Sequence, residues 1–143
     1  MRTHPLATSF IAFLGLMAIG ASSVDARILA TTKPAAVEAV RKFVAQNIGA
    51  PEDSIEILKK GKILTITRVN SAMNESNHQS RNDDAASIMA VVTKAIADKA
   101  EFKSLYSVNV QYTSRAEAAS KSKIIDTIEF RKNQQGAFEM HLT

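Results

Sequence analysis

Residues 105–131 constrain the fold more than any other part of the chain. Tyr106, Val108, Val110 and Tyr112 alternate with Ser107, Asn109, Gln111 and Thr113. Further on, Ile124, Ile128 and Phe130 alternate with Ile125, Thr127, Glu129 and Arg131. A period of two gives each segment one apolar and one polar face, the signature of a half-buried strand. Residues 114–121 join the two strands, with room for a helical turn. A sheet with one apolar face must be covered, and two helical patterns upstream are the candidates to cover it.

The first of these runs from about Pro34 to Ile48. Val37, Val40, Val44 and Ile48 recur at three- and four-residue steps and form one stripe. Thr32 or Lys33 is placed to cap it, and Pro34 suits a first turn, where its missing N–H has no partner to lose. Gly49 allows the left-handed turn that ends helices, and Pro51 blocks resumption. The second helix is expected from Asp84 to Ala100, with Asn82 or Asp83 as N-cap. Ile88, Val91, Val92, Ala95 and Ile96 make its apolar face.

Between the helices, Ile55 and Ile57 alternate with Glu56, and Ile63 to Val69 is rich in β-branched residues. Lys59-Lys60-Gly61-Lys62 reads as the turn between these two arms. Residues 70–83 are almost wholly polar, which predicts a mobile loop. Asn133 to Gly136 reads as a turn into a last strand, in which Phe138, Met140 and Leu142 alternate with Glu139 and His141. The expected fold class is therefore α+β. Two amphipathic helices cover one face of a mostly antiparallel sheet of four to five strands, in the order α-β-β-α-β-β-β. The order carries a faint αββ repeat.

The N-terminus reads as a signal peptide covering residues 1–26. Arg2 supplies the positive start, Leu6 to Ile19 is a 14-residue apolar run, and Val24 and Ala26 have the spacing of a cleavage site. The run is shorter than the roughly 20 residues a spanning helix needs. Residues 27–143 then form a single domain, secreted or periplasmic, with no membrane span after removal of the leader. Cysteine and tryptophan are both absent. Disulfides, thiol nucleophiles and thiolate metal sites are thereby excluded, and stability rests on aliphatic and Phe burial.

A net charge of +4 is far from a nucleic-acid footprint, so no nucleic-acid partner is expected. Neither a Gly-rich phosphate loop nor a nucleophile elbow is present, and no cofactor is implied. His78 lies near Glu75, Asp83 and Asp84, the residue types a metal or a general base would use, but the spacing matches no chelating pattern. His141 falls on the polar side of the last strand. Asp126 breaks the apolar face of its strand, which suggests a bulge at Ile124-Ile125 or a functional carboxylate. Tyr106 and Tyr112 bracket the apolar face, with hydroxyls expected to reach solvent. Asn74-Glu75-Ser76 has the form of an N-glycosylation triplet.

Lysines and arginines gather at turns. Lys59, Lys60 and Lys62 stand at one, Arg131 and Lys132 at another, and Lys121 and Lys123 precede a strand. If two of these tips share an edge they form a cationic rim for an anionic polymer or lipid headgroup. Lys59, Lys60, Lys62, Arg131 and Lys132 are accordingly the candidate contact residues; no catalytic, cofactor or metal residue is assigned. The expected function is that of an exported, non-catalytic domain that binds an envelope component or another protein. The alternative is a small secreted hydrolase or metal-dependent enzyme using His78 and nearby carboxylates.

Overall fold

The computed structural model describes residues 34–116 and 121–141. The expected signal peptide, the cap at Thr32 or Lys33, the centre of the 114–121 link and Leu142 lie outside them. Helix α1 spans Ala35–Ile48 and buries Val37, Val40, Val44 and Ala45. Gly49 follows at φ 66°, where a side chain would be strained. The N–H of Ala50 then closes on the carbonyl of Ala45, which satisfies an orphan acceptor of the last turn.

Five strands follow in chain order: β1 (Ile55–Lys60), β2 (Ile63–Val69), β3 (Ser107–Ser114), β4 (Lys123–Lys132) and β5 (Phe138–His141). They lie side by side in one sheet in that same order. The β1–β2, β3–β4 and β4–β5 pairs are antiparallel, and β2–β3 is parallel. Between β2 and β3 runs helix α2 (His78–Ile96), the crossover that a parallel neighbour requires. The α+β architecture and element order are those the residue pattern predicts.

Ile55, Ile57, Leu64, Ile66, Val108, Val110, Ile128 and Phe130 form one sheet face and share a single core with both helices. Val92 and Ile96 of α2 belong to it, beside Phe102 and Leu105 from the turn after the helix. Fully burying such a side chain is worth about 1.5–3 kcal/mol. The opposite face carries half-buried Thr65, Thr67, Asn109, Gln111 and Glu129, with Leu58, Ile63 and Ile124 exposed.

Two expectations require correction. Helix α2 begins at His78, six residues before Asp84, and ends at Ile96. Its N-cap is Asn77, whose side chain accepts from the N–H of Ser80 at 2.8 Å, while Asn82 is buried one turn inside. The 70–83 segment is therefore ordered rather than a mobile loop. Ala72–Glu75 is a 3-10 turn capped by Ser71, and the helix takes over at His78. Asn70, at φ 52°, exchanges side-chain hydrogen bonds with both backbone groups of Arg115. Asn tolerates this left-handed backbone better than most residues.

Candidate functional site

The first two turns of α2 are polar, yet they are fixed to three consecutive strands. Asp84 accepts two hydrogen bonds from the Arg68 guanidinium on β2, at 2.9 and 2.7 Å. It accepts a third from the Tyr112 hydroxyl on β3, at 2.6 Å. Arg81 Nε donates to Asp126 Oδ2 on β4 at 2.7 Å, and Nδ1 of His78 meets the same oxygen at 2.7 Å. Burial pushes the Tyr112 hydroxyl far above the ordinary phenol range, and its hydrogen bond to charged Asp84 adds to the shift. The hydroxyl is thus buried and engaged, not at solvent as expected.

Asp126 owes its position to a bulge. Tyr112 faces Asp126 and Thr113 faces Ile124, so Ile125 is the extra residue on β4. Ile125 turns toward the core while Ile124 is exposed. This is the irregularity the Ile124-Ile125 pair suggested. Burial raises the pKa of Asp126. Hydrogen bonds from Arg81, His78 and the Thr127 N–H outweigh it and hold the carboxyl below its ordinary value.

The carboxylates near His78 do not converge on it. Asp83 accepts from Gln79 at 3.1 Å, and Asp84 is committed to Arg68 and Tyr112. Among the described residues no group of three or more His, Asp or Glu is placed to hold a metal ion. His141 lies 3.1 Å from Arg131. Asn74 donates its amide to the Thr113 carbonyl at 2.9 Å, and its Oδ1 is buried.

The basic residues are brought together at the opposite end of the sheet. The N–H of Tyr106 donates to the Lys62 carbonyl at 2.8 Å, and the N–H of Lys132 to the Tyr106 carbonyl at 2.9 Å. Lys62, Tyr106 and Lys132 therefore sit abreast, the outer two about 10 Å apart at two strand spacings. Tyr106 is 54% exposed between them.

The five predicted cations have separate fates. Lys60 and Lys62 are exposed, with no ion pair to a described residue. Lys59 is half-buried and donates back to the Gly61 carbonyl at 3.0 Å. Arg131 closes a two-pronged pair on Glu129 at 3.0 and 2.9 Å, which offsets its charge. Lys132 holds its ammonium 5.2 Å from the centre of the Phe138 ring. Lys103, not among the candidates, joins the group, because its carbonyl accepts from Lys132 Nζ at 3.4 Å. Its only signal was a position on a turn beside an apolar pair. Lys121 and Lys123 stand at the far end, where Lys123 pairs with Ser114.

A cleft of about 400 Å3 opens beside this basic end, between the C-terminal turn of α2, the turn at Phe102 and the β4–β5 hairpin. Among the described residues no helix is long and apolar enough to cross a membrane. Compared with known proteins, the chain matches no family model and no curated protein sequence.

Proposed function

We propose that this chain is an exported, non-catalytic binding domain that docks on an anionic component of the cell envelope through the basic end of its sheet. One observation carries the reading: the backbone ladder Lys62–Tyr106–Lys132 sets two cationic tips side by side. Lys60, Lys62, Lys103 and Lys132 share this end, while Glu129 is spent on Arg131 and Glu101 is the carboxylate on the adjoining turn. Lysines at an anionic surface contribute roughly 1 kcal/mol each. The charged start, apolar run and Val24-x-Ala26 spacing of the N-terminus support export. The exported chain is expected to begin at Arg27 by mass spectrometry; a chain retaining Met1 would remove that part of the reading.

The hydrolase or metal-dependent alternative draws less support. Asp126, the carboxylate nearest His78, already accepts from Arg81 and Thr127, so little basicity is left for proton transfer.

Sedimentation with vesicles tests the docking surface. The protein should bind vesicles containing phosphatidylglycerol at low salt, bind neutral phosphatidylcholine vesicles far less, and release as ionic strength rises. Reversing two charges in K60E/K62E should weaken binding by roughly tenfold or more. Equal binding to neutral vesicles, or no loss in the charge-reversed variant, counts against the reading.

A further inference from the structure

The cleft beside the basic end has a composition of its own. Its inner wall is apolar, from Ile96 and Phe102, both buried, and half-buried Phe138. Ala97 stands exposed at its lip. The polar part of its boundary is supplied chiefly by Lys103 and Lys132, and none of the residues forming it is acidic. A volume of about 400 Å3 lies within the range of small-ligand sites, at the lower end.

The fold holds one of the two lysines in place and sets the other, exposed Lys103, beside it. The ammonium of Lys132 lies over the Phe138 ring and within reach of the Lys103 carbonyl, so it is held at the cleft mouth rather than swinging free in solvent. Holding the charge in place reduces the entropy lost when an anion arrives. An apolar wall with cations at one side and no carboxylate matches one ligand shape: a single alkyl chain ending in an anion. A polar anion would leave the wall of Phe102 and Phe138 unfilled. An uncharged hydrocarbon would leave the two ammonium groups without a counter-charge.

We infer that the cleft binds a single-chain anionic amphiphile, with its alkyl tail against Ile96, Phe102 and Phe138 and its anionic head at Lys103 and Lys132. The inference rests on the reading that this end of the sheet meets an anionic partner, and it adds the tail that accompanies the charge.

The test is a calorimetric titration of the full domain with monomeric decanoate. Saturable one-to-one binding is expected. Ala97 is exposed, so A97W should leave the fold intact, block the mouth and abolish the titration. Removing both cations in K103Q/K132Q should weaken decanoate roughly tenfold, and 1-decanol should bind the unaltered protein more weakly by a similar factor. Absence of saturable binding overturns the inference, whether the cleft is empty or filled by another segment of the chain or a second copy. Unchanged binding in A97W overturns it too, as does equal affinity for decanol. The two readings separate cleanly. K60E/K62E should lose vesicle binding and keep decanoate, whereas A97W should lose decanoate and keep vesicle binding. Vesicle binding without decanoate binding would remove the cleft alone; decanoate binding without vesicle binding would remove the docking surface alone.

Discussion

At Asp126 three donors meet one carboxylate: Arg81, His78 and the Thr127 N–H. Their combined effect is a pKa below the ordinary carboxylate value despite the opposing effect of burial. A carboxyl held down in the folded state contributes stability that is complete above the unfolded pKa, about 3.9. That contribution fades as pH falls through the lower, folded value. Asp126→Asn should therefore destabilise the domain at pH 7 by about 1–3 kcal/mol, because it leaves the half-buried Arg81 without its counter-charge. The gap between variant and wild type in urea unfolding should narrow below about pH 4. A gap that stays constant with pH would show that the loss is one of shape, not charge. Part of this was legible in the sequence: a carboxylate on an apolar strand face demanded an account, and the adjacent Ile pair pointed to a bulge. Its partners were not legible, since Arg81 and His78 lie 45 and 48 positions away.

For helix α2, legibility follows the chemistry of its buried stripe. Ile88, Val92 and Ile96 are apolar at helical spacing, and that half was read correctly. His78, Arg81 and Asp84 continue the same stripe at three-residue steps toward the N-terminus. They face the sheet too, but through ion pairs and hydrogen bonds. Hydrophobic periodicity is blind to them, so the first two turns read as loop. The Asn77 cap was the one local signal. At the other end the stripe makes a clear prediction. Ile96 is 8% exposed within the core, and Ala97 is exposed beside it. Ile96→Ala should cost about 2–5 kcal/mol by thermal or urea unfolding. Ala97→Ser, which removes no buried group, should stay within about 0.5 kcal/mol of wild type. Comparable losses from both would mean that the helix is rotated from the orientation described.

Across the whole molecule, the sequence disclosed the elements and their order but not the seam between them. Alternation says which face of a strand is buried, and it is silent on which neighbour lies alongside. The helix between β2 and β3 was the available hint, since a crossover of that length suits a parallel neighbour. The basic end was half legible for the same reason. Lys60, Lys62 and Lys132 were candidates, but only the β2–β3–β4 register puts them together. The pairing of Arg131 with Glu129, two positions away on the same strand face, is likewise a property of the strand and not of the turn.

That parallel seam also sets the order in which the chain can find its fold. The β1–β2 and β3–β4 pairs join segments close in sequence, so each closes a short loop at small entropic cost. The pairing of Leu64 with Val108 and of Ile66 with Val110 must wait for all of α2 to fold back. The late, expensive step is the docking of two αββ halves rather than the making of either one. Val110→Ala, on the seam, should divide its effect in stopped-flow tyrosine fluorescence, slowing refolding in part and speeding unfolding as well. Ile57→Val, within the first hairpin and so already packed when docking begins, should slow refolding by nearly its whole loss of stability and leave unfolding almost unchanged. A loss at Val110 that appears only as faster unfolding would put the barrier inside the hairpin, before docking.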